Sequence, residues 1–441
     1  MLRWLSMGLC GAACSLLPMV LDTPSVRAAD SWNHWRGADQ QGVAPGSGYP
    51  VRWEAGDSVQ WRFEVPGRAG STPVVAGDKV FLTTGDGDDN LLLAVAADTG
   101  KPLWDVTLGQ DRGGKHKKGS GSNPSPTTDG ELVYAYYRSG DLGCVDTSGK
   151  VRWHRNIQEE YGEDTLWWDL GSSPLLTDTA VVIAVMQSGP SYLVAFDKQS
   201  GEQLWKVDRM VEAPDESAQS YTSPLLTTVG DQKLIAVLGA DHLTLHDAET
   251  GKELARLGGF NPAGERYFRS IASPVISGNV IVCPYARGST LTAVDMSKLL
   301  AAGSDAKAAQ EAILWEQDFG ADVPTPSARD GRLYLCGDKG HVRALDVQTG
   351  KTLWEVELPK NRNQYSSSPL VTASHLYLTR EDGHVFVIAL PASGKTAEEG
   401  KAELVGENEL GDEGQYTVAS PVPLDGDLLF RTRSQLVRVG G

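Results

Sequence analysis

Along this chain, short apolar runs alternate with turn signals in a repeating frame. A Pro preceded by a small polar residue, then an apolar strand, then a Gly/Asp turn, recurs at Pro73, Pro126, Pro174, Pro224, Pro274, Pro326, Pro369 and Pro421. Self-similarity at a fixed period sets the whole architecture, because each unit buries its apolar faces only against its neighbours. Hairpin signals follow the Pro positions, among them Ala76-Gly77-Asp78, Asp129-Gly130, Ser277-Gly278-Asn279, Asp330-Gly331 and Asp425-Gly426. β-branched and aromatic residues flank them, so each unit opens with two antiparallel strands. A second signal closes most units, as in Ala195-Phe196-Asp197-x-x-Ser200-Gly201 and Leu245-His246-Asp247-x-x-Thr250-Gly251. Gly there supplies the positive φ of a tight hairpin. Four residues beyond that Gly stand Trp104, Trp153, Trp205 and Trp354, with Ala255 in the fourth unit and Trp315 after an insertion in the fifth.

Units of this length, with four short strands each and no helix between them, describe the blades of a β-propeller. The expected fold is therefore all-β: an eight-bladed propeller of four-stranded antiparallel blades over residues 58–441. The eighth unit lacks its last strand, since the chain stops at Val439-Gly440-Gly441. Val59-Gln60-Trp61-Arg62-Phe63-Glu64-Val65 is a Trp-bearing strand with no unit of its own. It is expected to complete the last blade, which removes two exposed sheet edges and ties the termini together. Residues 30–57 then form a lead segment whose Trp32, Trp35 and Trp53 pack across one face. Trp61, Trp104, Trp153, Trp205, Trp315 and Trp354 occupy a repeated outer-strand position, which predicts blade-to-blade docking rather than a ligand site.

Composition adds three constraints. Gly 49 and Pro 23 argue for many turns and against a helical bundle. A formal charge of -17 disfavours nucleic acid as a partner, which needs a basic face. Residues 1–29 read as an export signal, with Arg3, a mostly apolar stretch from Leu5 to Leu21, and Val26-Arg27-Ala28 at the cleavage positions. Pro18 interrupts that stretch, which is too short for a membrane anchor, and no later segment approaches a span. Neither Cys10 nor Cys14 follows a good lipidation box. A periplasmic or otherwise exported monomer with no transmembrane segment after cleavage is expected. Cys144, Cys283 and Cys336 each sit in an apolar stretch and read as buried structural thiols.

The grammar of Ala344-Leu345-Asp346-Val347-Gln348-Thr349-Gly350-Lys351-Thr352-Leu353-Trp354 resembles the PQQ-like repeat of quinoprotein-type β-propellers, from about Val59 to the C-terminus. Trp32-Asn33-His34-Trp35-Arg36-Gly37, Asn123-Pro124-Ser125-Pro126 and the stretch from Trp167 to Pro174 are similar to exported PQQ-like repeat proteins of planctomycete-type bacteria. Those are grouped with BamB-type outer-membrane assembly propellers. The resemblance implies a non-catalytic binding or assembly scaffold without a cofactor. Its alternative is a PQQ- and Ca-dependent quinoprotein oxidoreductase, whose adjacent Cys pair is missing here and whose ligand residues find no counterpart positions.

Other chemistry is sparse: no catalytic residue and no metal site is assigned. His242 and His246, four apart in a strand, are expected as a satisfied surface pair, and Lys115-His116-Lys117-Lys118 as a solvated basic tip. Residues just before each Ser-Pro should face the channel mouth in a propeller. They are rich in aromatic and hydrogen-bonding types, and Trp167, Trp168, Asp169, Tyr221, Arg269, Tyr365 and Tyr416 are the candidate contacts for a protein or peptide partner in the cell envelope, or for a glycan.

Overall fold

The computed structural model describes residues 1, 31–54, 58–391, 401–411 and 415–441. The expected export leader, with Cys10 and Cys14, lies outside them save for Met1. The described strands form eight four-stranded antiparallel sheets arranged as an eight-bladed propeller. The inner strands, blade 1 to blade 8, are Val74–Ala76, Thr127–Thr128, Leu175–Leu176, Leu225–Val229, Val275–Ser277, Ser327–Arg329, Leu370–Val371 and Val422–Leu424. Seven blades take their outer strands in sequence order, and the eighth takes Val59–Glu64, paired antiparallel to Gln435–Val439 as the sequence pattern predicts.

The small polar residue before each Pro closes the ring. The backbone N–H of Thr72 donates to Ser125 Oγ, and that of Ser125 to Ser173 Oγ. The chain of bonds continues through Ser223, Ser273, Thr325, Ser368 and Ser420, whose N–H returns to Thr72 Oγ1 at 3.0 Å. All eight residues are buried. The Pro that follows holds each of them extended and brings no further N–H to the axis.

Farther from the axis the Trp positions lock neighbouring blades. Trp61 Nε1 donates to Ala97 O at 3.1 Å, Trp153 Nε1 to Lys198 O at 2.9 Å and Trp315 Nε1 to Val347 O at 2.8 Å, each in the next blade. The ring face rests on that blade's turn glycine. Gly201 has φ +71, and a Cβ on it would stand 2.6 Å from Trp153 Cδ2, so both the backbone and the packing require glycine there. Blade 4, which carries Ala255 instead of Trp, is covered differently. The insertion in blade 5 folds into helices Met296–Ala302 and Ala306–Gln310, and Met296, Leu299, Ala309 and Ala312 pack with Ala255 and Leu257. Asp295 and Asp305 cap the two helices, each accepting two backbone N–H groups.

The lead segment crosses the inner-strand ends on the side away from the Ser-Pro loops. Trp32 exchanges backbone bonds with Val75, Thr128 N donates to Asn33 O, and Val371 N donates to Gly42 O. Arg36 is fully buried and donates to Pro369 O at 2.7 Å and Pro326 O at 2.8 Å. Burial pushes its pKa down to about 9, so it stays charged at neutral pH and acts as a rivet between blades 6 and 7. Arg431 does the same between blades 8 and 1, donating to Thr83 O at 2.7 Å and to Ser71.

One expectation about the blade interiors is corrected and another is met. His246 is buried rather than a surface residue, with Nδ1 at 3.0 Å from Gly251 O and Nε2 at 2.9 Å from Thr244 Oγ1, and its imidazole is part of the blade core. The cause is that the third strand, His242–Asp247, is covered on both faces by the neighbouring blades, so only its two ends stay partly exposed. Cys144, Cys283 and Cys336 are buried free thiols, and burial pushes the Cys144 pKa up to about 12.

Trp153→Ala is expected to lower folding stability by about 3–5 kcal/mol, the usual range for a deleted buried aromatic. A denaturant titration checks this, and an unchanged midpoint would contradict the docking role.

Candidate functional site

The loops that lead from each outer strand to the next Ser-Pro gather at one end of the channel. They enclose a cavity of about 490 Å³. Going inward, its wall passes from loop side chains to the ring of eight hydroxyls, and Trp35 of the lead lines it from the opposite side. Trp168, Asp169, Tyr221 and Arg269 all line this cavity.

Each loop is positioned by its neighbour. After blade 2, Asn156 caps helix Ile157–Tyr161, and the chain continues to Trp167 and Trp168. Trp167 N donates to Gln219 Oε1 at 2.8 Å and Trp168 N to Tyr221 Oη at 3.2 Å, while Tyr221 Oη itself donates to Gln219 Oε1 at 3.0 Å. Burial raises the pKa of Tyr221, which keeps that hydroxyl a donor. The Trp168 indole N–H donates to Glu216 Oε1 at 2.7 Å, and its ring meets His116 edge-on at 5.4 Å. Glu216 lies 3.6 Å from Arg269, which forms a two-pronged pair with Asp322 at 3.2 and 3.0 Å. Asp322 N donates to Asp338 Oδ1 at 3.1 Å. A continuous polar belt thus joins the mouth loops of blades 2 to 6.

The belt is closed by a loop that the sequence reading treats as a solvated tip. Lys115 Nζ pairs with Asp164 at 2.9 Å. Lys118 Nζ reaches Glu381 Oε1 at 2.7 Å and Gln364 Oε1 at 3.1 Å, on loops of blade 7 beyond blade 8. The basic stretch is therefore tied down, because its lysines find carboxylates on loops some 50 and 260 residues away in the chain. Asp169, buried, accepts the N–H groups of Lys115 and His116 and fixes where this loop crosses.

The remaining candidates sit elsewhere. Trp167 is on the rim, 47% exposed, and Trp168 is 41% exposed beside it. Met210 and Tyr267, at 59% and 49%, add apolar surface on the loops after blades 3 and 4. Tyr365 is buried against Gly340 and Phe386, between blades 6 and 7. Tyr416 is half-buried under the Arg433 guanidinium, 4.1 Å from its ring centroid, beside the main cavity. Sequence reasoning gave Trp35 to packing and Lys118 to a solvated tip, and did not single out Arg287 or Asp338; all four line the cavity.

The donor set does not fit a calcium-held quinone. Asp169 holds a loop, Asp322 is committed to Arg269, and Asp338 accepts two backbone N–H groups. Among the described residues no group of three His, Cys, Asp or Glu converges as a cation cage requires.

A family model described as outer membrane protein assembly factor BamB matches residues 37–205, 189–301 and 260–438. BamB of Burkholderia pseudomallei is 26% identical over 299 residues, covering 67% of this chain and 68% of its own. Among solved structures, BamB from Moraxella catarrhalis superposes with a TM-score of 0.60 at 15% identity, over 86% of this chain and 99% of that one. The quinohemoprotein alcohol dehydrogenase ADHIIG of Pseudomonas putida HK5 gives 0.64 at 14% identity, over 93% and 80%. At such identities the structural likenesses carry the fold and nothing finer.

Asp338 generates a pH prediction. Burial and the nearby Asp322 charge raise its pKa to about 6, above its ordinary 3.8. The fold therefore favours the protonated form, and ionisation costs stability as pH rises through the interval between those values. Asp338→Asn, which keeps an oxygen acceptor for the N–H groups of Asp322 and Val323, should be more stable than the parent at pH 7. The gap should close by about pH 4. Paired thermal melts across that range check it, and a pH-independent gap would contradict the burial argument.

Proposed function

The chain belongs to the family described as outer membrane protein assembly factor BamB, and from that premise we propose that it is an exported, non-catalytic scaffold. Its channel-mouth loops contact a protein or peptide partner in the cell envelope. The observation that carries this reading is the apolar rim: Trp167, Trp168, Met210 and Tyr267 stay exposed, and the backbone N–H groups of Trp167 and Trp168 are held by Gln219 and Tyr221 of the neighbouring loop. Large apolar side chains held rigidly in water are what a docking surface uses, since little order remains to be imposed on binding. The polar belt beneath them supplies a hydrogen-bonding rim and fixes their spacing. Relatives of the same family carry the name outer membrane protein assembly factor, and this chain spans about two thirds of their length. No helix among the described residues is long and apolar enough to cross a membrane.

Cross-linking capture from a cell-envelope extract, followed by identification of the partner, tests this reading. Trp167→Ala and Trp168→Ala should each reduce recovery of that partner at least tenfold, about 1.4 kcal/mol or more. Their melting temperatures should stay near that of the parent. Equal recovery by both variants would contradict it, and quenching of Trp fluorescence by polysaccharide instead of protein would transfer the face to a glycan.

A further inference from the structure

The axial ring has a chemical property its structural role leaves unused. Each of the eight hydroxyl oxygens accepts an N–H from the neighbouring blade, and none of the eight hydroxyl hydrogens has an acceptor among the described residues. All eight side chains are more than nine-tenths buried and line the same cavity. Buried hydroxyl donors are ordinarily satisfied, so eight of them converging on one bore define a space complementary to an acceptor.

A second observation points the same way. Ala286 and Arg287 both take left-handed backbone conformations, with φ +52 and +56, which side-chain-bearing residues adopt only where the surroundings hold them there. The effect is to place Arg287 along the cavity wall. It has no ion-pair partner among the described residues, whereas Lys118 is taken by Glu381 and Arg269 by Asp322. The carboxylates of the wall are occupied as described above. The chain's net acidity gives no long-range attraction for an anion, so selection has to come from these local donors.

We propose that the axial cavity binds a carboxylate, its oxygens received by the hydroxyl ring and its charge paired with Arg287. The inference deepens the reading of the mouth as a contact face and rests on it, because the mouth is the way in. The carboxylate comes either from a small free acid or from the C-terminus of a peptide chain.

Trp35 and Trp168 line the cavity, so intrinsic fluorescence together with calorimetry reports occupancy. The probes are acetate, succinate, a short peptide with a free C-terminus, and the same peptide as its amide. Saturable binding of the acids, at least tenfold weaker in Arg287→Gln and largely restored in Arg287→Lys, is the expected result. Ser273→Ala should weaken binding as well, in protein whose melt remains cooperative. Equal affinity for acid and amide, equal affinity in Arg287→Gln, or no saturable binding of any acid would overturn the proposal. A peptide acid at least tenfold tighter than acetate assigns the site to a chain terminus, and equal affinity assigns it to a free acid; both support it. Trp167 is on the rim outside the cavity and separates the two readings. Carboxylate binding without Trp167-dependent capture overturns the contact-face reading alone, and capture without carboxylate binding overturns the cavity inference alone.

Discussion

Closure of the ring at its axis is the constraint on which everything else depends. Eight sheets arranged around a bore leave their inner edges facing one another too far apart for ladder hydrogen bonds, and an unpaired inner N–H would be buried without a partner. One hydroxyl per blade solves this, each spanning to the next and the last spanning back to the first across 348 residues of chain. The interaction is cyclic: each blade donates one N–H and accepts another, so every donor is met only when the last blade reaches the first.

The other contacts follow from this geometry. Blades splay outward from the axis, so larger side chains are needed at greater radius: Arg36 and Arg431 near the bore, then Trp rings against turn glycines near the rim. Where the Trp is absent at Ala255, the wedge is filled by two short capped helices from the next blade. The strand Val59–Glu64 and the lead tie the N-terminal region to blades 1, 2, 5, 6, 7 and 8, so the seam is held by both a strand pairing and a crossing segment. A rigid frame of this kind lets the mouth loops hold exposed aromatics and an ordered polar belt without a core of their own.

Much of this was legible in the sequence because it repeats. The Pro spacing, the turn glycines and the Trp after them are local signals, and they gave the blade number, the clasp strand and the docking positions. The ring was half legible: a small polar residue stood before every Pro, yet its acceptor role depends on a neighbour some 50 residues away. The loop around Lys118 was less accessible still, since its partners Gln364 and Glu381 lie on another blade some 250 residues away in the chain. Tyr365 shows the converse limit: it sits beside Ser-Pro like the other mouth aromatics, but Gly340 leaves a pocket that takes its ring into the core. His246 likewise looked like half of an exposed pair, but neighbouring blades cover both faces of its strand.

The most direct test of ring closure is native-state hydrogen exchange of the ring amides, read residue by residue. Thr72, Ser125, Ser173, Ser223, Ser273, Thr325, Ser368 and Ser420 should exchange as one slow group, with the Ser420 amide at the chain seam as protected as Ser223 in the middle. Rapid exchange of Ser420 and Thr72 beside slow exchange of the other six would show an open seam and contradict the account.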